Sequence, residues 1–418
     1  MVRVNSEIGK IEKVIIHKPG EEVENMTPEN AERALYSDIL NPVVASREYS
    51  EFNGVLDLVA ETFEVMKLLE ETLNNPEAKS ELIKQVCEKE KKPQLIDYFG
   101  QLTNKELARQ LIEGVPLKRN NLTKFLSEER FELHPLHNFF FTRDASMSFN
   151  ENVLIGSMFS SVRAREAIIM DIIFTYNEKV KAPTVNLENF NTGPTEKFFI
   201  EGGDFLVINK DTYLIGNGQR TSTHAIDTFI HFLKKSVPGR KNIIVQELPH
   251  SPESFIHLDM VFTMLDKDKA LIYEPVILNR HNFRTVLIVV DNGKIESIKE
   301  APNIFSALRK LKIELTGVAC GGTEDIWMQE REQWHSGANF FTLEPGKIIG
   351  YGRNQYTINE LNKSGFEVLT AKEILNKEKS LSDYKKAVVT IDGAELARGG
   401  GGGRCMTMPV LRKEVDWN

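Results

Sequence analysis

The stretch Asp204-Phe205-Leu206-Val207-Ile208-Asn209-Lys210-Asp211-Thr212-Tyr213-Leu214-Ile215 decides the fold. An acidic residue opens a short apolar strand over 205–208, residues 209–211 turn the chain, and a second strand follows over 213–215. Apolar runs rich in β-branched and aromatic residues, parted by Asn and Asp, are the mark of a hairpin. Arg220 comes next, then a helical pattern over 225–235 and a returning strand over 242–248. The order is ββαβ.

The same grammar recurs, and such periodicity marks a repeat architecture. One copy starts at Asp144, with strands over 146–149 and 153–156, Arg163, and a helix over 166–174. A third starts at Asp259, with strands over 260–265 and 271–273 and Arg280 beyond. A fourth starts at Ala338, with strands over 339–343 and 348–351, Arg353, a helix through Leu361 and a strand over 366–369. The chain ends supply a fifth, in which a strand over 11–17, a helix around 47–62 and a strand over 63–68 close against 386–391 and 406–411. Closure removes exposed sheet edges. The fold class is therefore α/β and propeller-like, with the loops before equivalent strands gathered at one end.

Residues 72–130 break this grammar. They are rich in Leu, Glu and Lys at helical spacing, with helices expected over 77–89, around Ile96 and Phe99, over 104–113 and over 122–129, punctuated by Pro76, Pro93 and Pro116. The expected organisation is a discontinuous α/β domain over 1–71 and 131–418 with an inserted α-helical domain over 72–130. Cys87, inside the insert, reads as a small core residue.

Composition narrows the function. At 418 residues, 41% hydrophobic and 27% charged, the chain can build a large ordinary core. A net charge of -8 with scattered lysines argues against nucleic acid. No apolar run of about 18 residues is present, which argues against a membrane span. The first nine residues lack an apolar signal core, so a cytoplasmic location is expected. Cys87, Cys320 and Cys405 form no C-x-x-C pair, and His134 and His137 have Pro135 between them and no third ligand, so no disulfide or metal is expected.

Four motifs carry chemistry: Phe141-Thr142-Arg143-Asp144, Glu201-Gly202-Gly203-Asp204, His257-Leu258-Asp259, and the glycines 399–403 followed by Arg404-Cys405-Met406. Each alone reads as a charged or flexible loop. In this order the set resembles the arginine deiminases of the guanidino-group-modifying, or pentein, superfamily. Further matches lie at 7–20, at Arg331-Glu332-Gln333-Trp334, at Glu344-Pro345-Gly346 and at Met408-Pro409, so the resemblance spans nearly the whole chain.

The resemblance implies a five-bladed α/β propeller that hydrolyses free L-arginine to L-citrulline and ammonia in arginine catabolism. It implies no cofactor, and a homodimer or homotetramer. Cys405 would attack the guanidinium carbon, His257 would act as general acid and base, Asp144 and Asp259 would grip the guanidinium nitrogens, and Glu201 would act on substrate and on His257. Arg163 and Arg220 would bind the substrate carboxylate, and Asn138 and Phe141 would contact its amino-acid end. Residue types agree with this chemistry, because a guanidinium is a planar cation whose nitrogens all donate hydrogen bonds.

Some relatives carry an arginine five residues before the cysteine; here that position is Gly400. Arg398 or Arg404 is left as helper, on a loop over 398–404 expected to be a mobile lid. Alanine at Gly401 and Gly402 is then expected to slow loop motion without disturbing the fold. Cys320, before Gly321-Gly322, is the rival nucleophile but has no neighbouring histidine and acid in its repeat. The alternatives are a sibling activity on agmatine or a methylated arginine, amidino transfer, and an inactive arginine sensor or scaffold; the two carboxylate-binding arginines argue against agmatine and peptidyl-arginine.

Overall fold

Phe205–Asn209 runs antiparallel to Thr212–Asn217, which lies parallel to Lys241–Glu247. The Asn209 side chain accepts the Asp211 N–H and closes the turn, and the Ser222 hydroxyl accepts the Ala225 N–H to start helix Thr223–Ser236. Most of these strand residues are buried on both faces, which is why the strands read as continuous apolar runs. This computed structural model describes residues 1–417 except 32, 34, 37, 192–197 and 279–282.

The unit repeats. Ser146–Phe149, Asn152–Ile155 and Thr184–Asn186 form a second antiparallel-then-parallel trio, with helix Ala164–Tyr176 as its crossover. Phe262–Met264, Lys269–Ile272 and Thr316–Ala319 form a third. Phe341–Glu344, Lys347–Tyr351 and Ala387–Ile391 form a fourth. The two ends of the chain make the fifth: Met408–Arg412 is antiparallel to Ile11–Ile16, which is parallel to Glu61–Glu64. The architecture is mixed α/β, with each trio in its own sheet.

The structure departs from the sequence reading at five places. Residues 65–68 belong to helix Val65–Thr72 rather than to a strand, because the Glu64 carboxylate caps it at the Lys67 N–H. The third unit's first strand begins at Phe262, since residues 258–260 are held in a tight turn by bonds from Leu258 N–H to Asp204 Oδ1 and from Met260 N–H to His257 O. Ala387–Ile391 sits inside the fourth sheet, between Lys347–Tyr351 and Glu367–Thr370, and not in the fifth. Thr285–Asp291 and Lys294–Ala301 form an unforeseen hairpin that extends the Phe205 sheet. Its outer strand, KIESIKEA, is mostly exposed and so carries no apolar run. Helix Ile326–Trp334, also unforeseen, is capped by Asp325. Arg280 lies outside the described residues.

In the 72–130 segment, helices occupy Pro76–Lys89, Ile96–Gln101, Asn104–Glu113 and Leu122–Phe125. Asn75 with Pro76, and the reciprocal Thr103–Glu106 capping box, start the first and third of them. Their Leu82, Val86, Cys87, Phe99 and Leu111 share one apolar cluster with Ile169 and Phe174 of helix Ala164–Tyr176. Among the described residues no helix is long and apolar enough to cross a membrane.

Candidate active site

Equivalent turns bring one residue from each unit to a common centre. Asp144, Asp204, Asp259, Asn339 and Cys405 each stand just before the first strand of a unit, and each is at most 3% exposed. Bonds between neighbouring units tie these positions together. Gly202 N–H donates to Asp144 O at 3.1 Å, Asn339 Nδ2 to Asp259 O at 3.2 Å, Gly403 N–H to Asn339 O at 3.1 Å, and Arg143 N–H to Cys405 O at 3.1 Å. The Glu-Gly-Gly-Asp motif follows from this closeness. A Cβ on Gly202 would lie 1.9 Å from Arg143 O, and one on Gly203 would lie 2.4 Å from the His257 ring.

His257 is 1% exposed and walled by carboxylates. Its Nε2 is 3.0 Å from Glu201 Oε2 and its Nδ1 is 3.7 Å from Asp144 Oδ1. Burial alone would lower the imidazole pKa, but Asp144, the Glu201 hydrogen bond and Asp204 outweigh it and lift it to about 9. The imidazolium therefore persists at neutral pH. Glu201 shows the converse: burial would raise its carboxyl, while Arg220 and His257 pull it down to about 2. Glu201 Oε1 also accepts the Phe159 N–H at 2.9 Å, so the base of the imidazole is rigidly held. Asp204, pushed up to about 7 by burial, accepts the Leu258 N–H at 2.8 Å and so positions the histidine's turn.

Cys405 Sγ lies 3.7 Å from Asp259 Oδ2 and 3.2 Å from Asn339 Nδ2. Burial, Asp259 and Asp144 together push its thiol well above the ordinary range. A cation entering between these acids would reverse that effect, because positive charge near sulfur favours the thiolate. Cys320, pushed up to about 12 by burial, faces the Thr357 hydroxyl and lies away from these groups.

A cavity of ≈ 560 Å³ opens onto this centre, and Asn138, Phe141, Asp144, Arg163, Arg220, His257, Arg398 and Cys405 all line it. Arg163 is gripped by Glu166 at 2.8 Å and by Asp144 Oδ2 at 2.7 Å, and Arg220 Nη1 is 3.4 Å from Glu201. Among the described residues Asp144 Oδ1 is buried without a hydrogen-bond partner and can accept from an incoming donor. Arg398 stands at the rim, donating from Nε to Asp38 at 2.9 Å and from Nη1 to Glu395 at 3.0 Å.

Arg404 does not reach the cavity, which corrects its place beside Arg398 as a substrate contact. It is 1% exposed, and its guanidinium is consumed by Glu7 at 3.0 and 3.1 Å and by Asp259 at 2.9 Å. A buried guanidinium is held where carboxylates can neutralise it, and Glu7, almost four hundred residues earlier, supplies that charge. Glu7 and Asn339 are site-building residues that sequence reading did not single out. The signal available was positional, since Asn339 precedes the fourth unit's strand as Asp144 and Asp259 precede theirs.

The glycine loop is packed, and the expectation that alanine at 401 and 402 would spare the fold is corrected. Gly401 to Gly403 are buried, and Tyr351 donates its hydroxyl to Gly401 O at 2.9 Å. A Cβ would lie 2.5 Å from the Phe141 ring at Gly401 and 2.4 Å from Asn339 O at Gly402. Gly402→Ala is expected to destabilise the fold by about 1–3 kcal/mol through overpacking, read as a lower midpoint of thermal unfolding. An unchanged midpoint would mean that the loop gives way freely.

Ligand atoms of Asp144, Glu201 and His257 lie within 4.8 Å of one another, near enough to hold a metal. Two of the three are already paired with Arg163 and Arg220, whose positive charge opposes a divalent ion at this point.

Comparison with known proteins agrees with this chemistry. The family model described as arginine deiminase matches residues 32–412. Arginine deiminase of Mycoplasma capricolum is 33% identical, covering 99% of this chain and 98% of its own length. Arginine deiminase 1 of Staphylococcus epidermidis is 30% identical, covering 99% of both. Among solved structures, an amidinotransferase from Microseira wollei in a saxitoxin pathway has a TM-score of 0.52 at 14% identity, covering 99% of this chain and 98% of that one. The N-terminal domain of ArgZ, a cyanobacterial arginine dihydrolase, has a TM-score of 0.51 at 13% identity, covering 96% of this chain and 97% of that one. These two share the fold.

Proposed function

As the chain belongs to the arginine deiminase family, we propose that it hydrolyses free L-arginine to L-citrulline and ammonia. It is a hydrolase of the C–N bond in a linear amidine. The carrying observation is that Cys405, His257 and Asp144 meet at one cavity, with Glu201 buried behind His257 and Asp259 buried behind Cys405.

The substrate guanidinium enters between Asp144 and Asp259, and its charge drives off the Cys405 thiol proton to solvent. The thiolate bonds to the guanidinium carbon, giving a neutral tetrahedral adduct. Imidazolium His257 gives its proton to one amino nitrogen, the C–N bond breaks, and ammonia leaves a cationic thiouronium. Neutral His257 then takes a proton from water as the water oxygen bonds to the same carbon. The C–S bond breaks with its electrons returning to sulfur; the released citrulline sheds its extra proton, which makes ammonium, and the thiolate regains from solvent the proton it lost. The cations Arg163, Arg220 and Arg398 are the groups for the amino-acid carboxylate.

The wider reading includes a five-bladed propeller built from the five strand trios, supported by the bonds linking one unit's turn to the next. It also includes a helical insert over 72–130, action in the cytoplasm and a homodimer or homotetramer. Purified enzyme is expected to form citrulline and ammonia in equal amounts from arginine, to keep its activity after chelation, and to turn over agmatine far more slowly, since agmatine lacks the carboxylate. Agmatine turnover matching arginine's would remove the carboxylate assignment. Activity lost on chelation and restored by one metal would remove the all-side-chain mechanism.

A further inference from the structure

We propose that Asn339 is a catalytic residue whose amide N–H donates to the Cys405 sulfur and stabilises it as the attacking anion. The inference rests on the reading of Cys405 as nucleophile.

The orientation of the amide is set by its partners. Two backbone N–H groups, those of Arg404 at 2.9 Å and Cys405 at 3.3 Å, converge on Oδ1, and only the carbonyl oxygen can accept them. Nδ2 must then face the other way, where Cys405 Sγ and the Asp259 carbonyl, each at 3.2 Å, are its nearest acceptors and Met260 Sδ lies farther off at 3.7 Å. One buried side chain thus holds the loop that carries the thiol and supplies a donor to the thiol itself.

An amide is the side chain this position requires. Asn339 takes, in the fourth unit, the place held by Asp144, Asp204 and Asp259 in three others and by Cys405 in the fifth. Asp259 and Asp144 already disfavour negative charge on the sulfur, while Arg404 and the Gly402 backbone act the other way. A carboxylate at 339 would set one more negative charge against the nucleophile. The neutral amide keeps the acceptor that the backbone needs and turns a donor toward sulfur. Tyr351, whose hydroxyl is engaged by Gly401 O, and His257, which lines the same cavity, are further titratable groups near the sulfur, and both are unchanged in the variants below.

Asn339→Asp separates the two duties, because it retains an acceptor for the backbone N–H groups and loses the donor to sulfur. The test is the pH dependence of iodoacetamide alkylation at Cys405, located by peptide mass spectrometry, together with kcat and KM for arginine. The alkylation profile is expected to move to higher pH in Asn339→Asp, and kcat to fall roughly 10- to 100-fold with a smaller change in KM. Asn339→Ala, which removes the donor without adding charge, is expected to shift the profile in the same direction. A wild-type alkylation profile in either folded variant overturns the proposal. Acid-quenched wild-type enzyme incubated with arginine is the control. An amidino adduct on Cys405 upholds the parent reading whatever the Asn339 variants do, and an adduct elsewhere defeats that reading independently.

Discussion

Cys405→Ser is expected to lower citrulline formation by at least about 10⁴-fold, as removal of a covalent nucleophile does in other enzymes. The hydroxyl is far less acidic than the thiol, and the surrounding Asp144 and Asp259 that suppress ionisation of the thiol would suppress alkoxide more strongly. Arginine binding should survive, since the carboxylates and the arginines at the cavity are untouched. Cys87→Ala and Cys320→Ala should keep most activity. Cys87 packs in the apolar cluster of the helical segment, and Cys320 is buried beside Thr357 with its thiol at about 12. Rapid acid quench followed by mass spectrometry measures the covalent step directly. An amidino group recovered on Cys320, or substantial turnover by Cys405→Ser, would sink the assignment.

His257→Gln is expected to cost on the order of 10²- to 10⁴-fold in kcat, the usual span for a lost general acid. Glutamine can still hydrogen-bond Glu201 but cannot deliver a proton to departing ammonia. The wild-type pH profile carries the sign. Burial would lower the pKa of His257, yet Asp144, Glu201 and Asp204 raise it from 6.5 to about 9, so the acid form persists through neutrality and is lost above. kcat/KM should therefore fall as pH rises through about 9, and that alkaline limb should vanish in the variant. The same shift makes the charged histidine stabilise the fold fully below about 6.5, with the contribution lost as pH rises through about 9. A wild-type kcat/KM that stays level to well above pH 9 would exclude imidazolium as the proton donor.

Much of the site was legible because its residues travel in short motifs whose chemistry is local. Cys405 after a glycine run, His257 two residues before Asp259, and Glu201 before two glycines each signal a tight turn carrying a reactive group. Asn339 gave no such signal, for an asparagine before a strand is ordinary turn chemistry until its amide is seen against a sulfur. Arg404 was ambiguous for the opposite reason. Two arginines flank the glycines, and nothing along the chain says which finds Glu7.

Four of the hairpins, their turns and most helices were legible along the chain, because these depend on apolar periodicity and on caps such as Asn75 with Pro76 or Thr103 with Glu106, all within a few residues; the hairpin over 285–301 was not, since its outer strand is exposed. Only the tertiary structure decided which sheet each returning strand joins. Ala387–Ile391 is equally apolar wherever it lies, and its place between Lys347–Tyr351 and Glu367–Thr370 is settled by burial on both faces of the fourth sheet. It likewise decided that Arg404 turns inward and Arg398 outward. A guanidinium goes where opposite charge and burial balance; Glu7 reaches Arg404 only when the two ends of the chain meet, and Asp259 only when the third unit packs against the fifth.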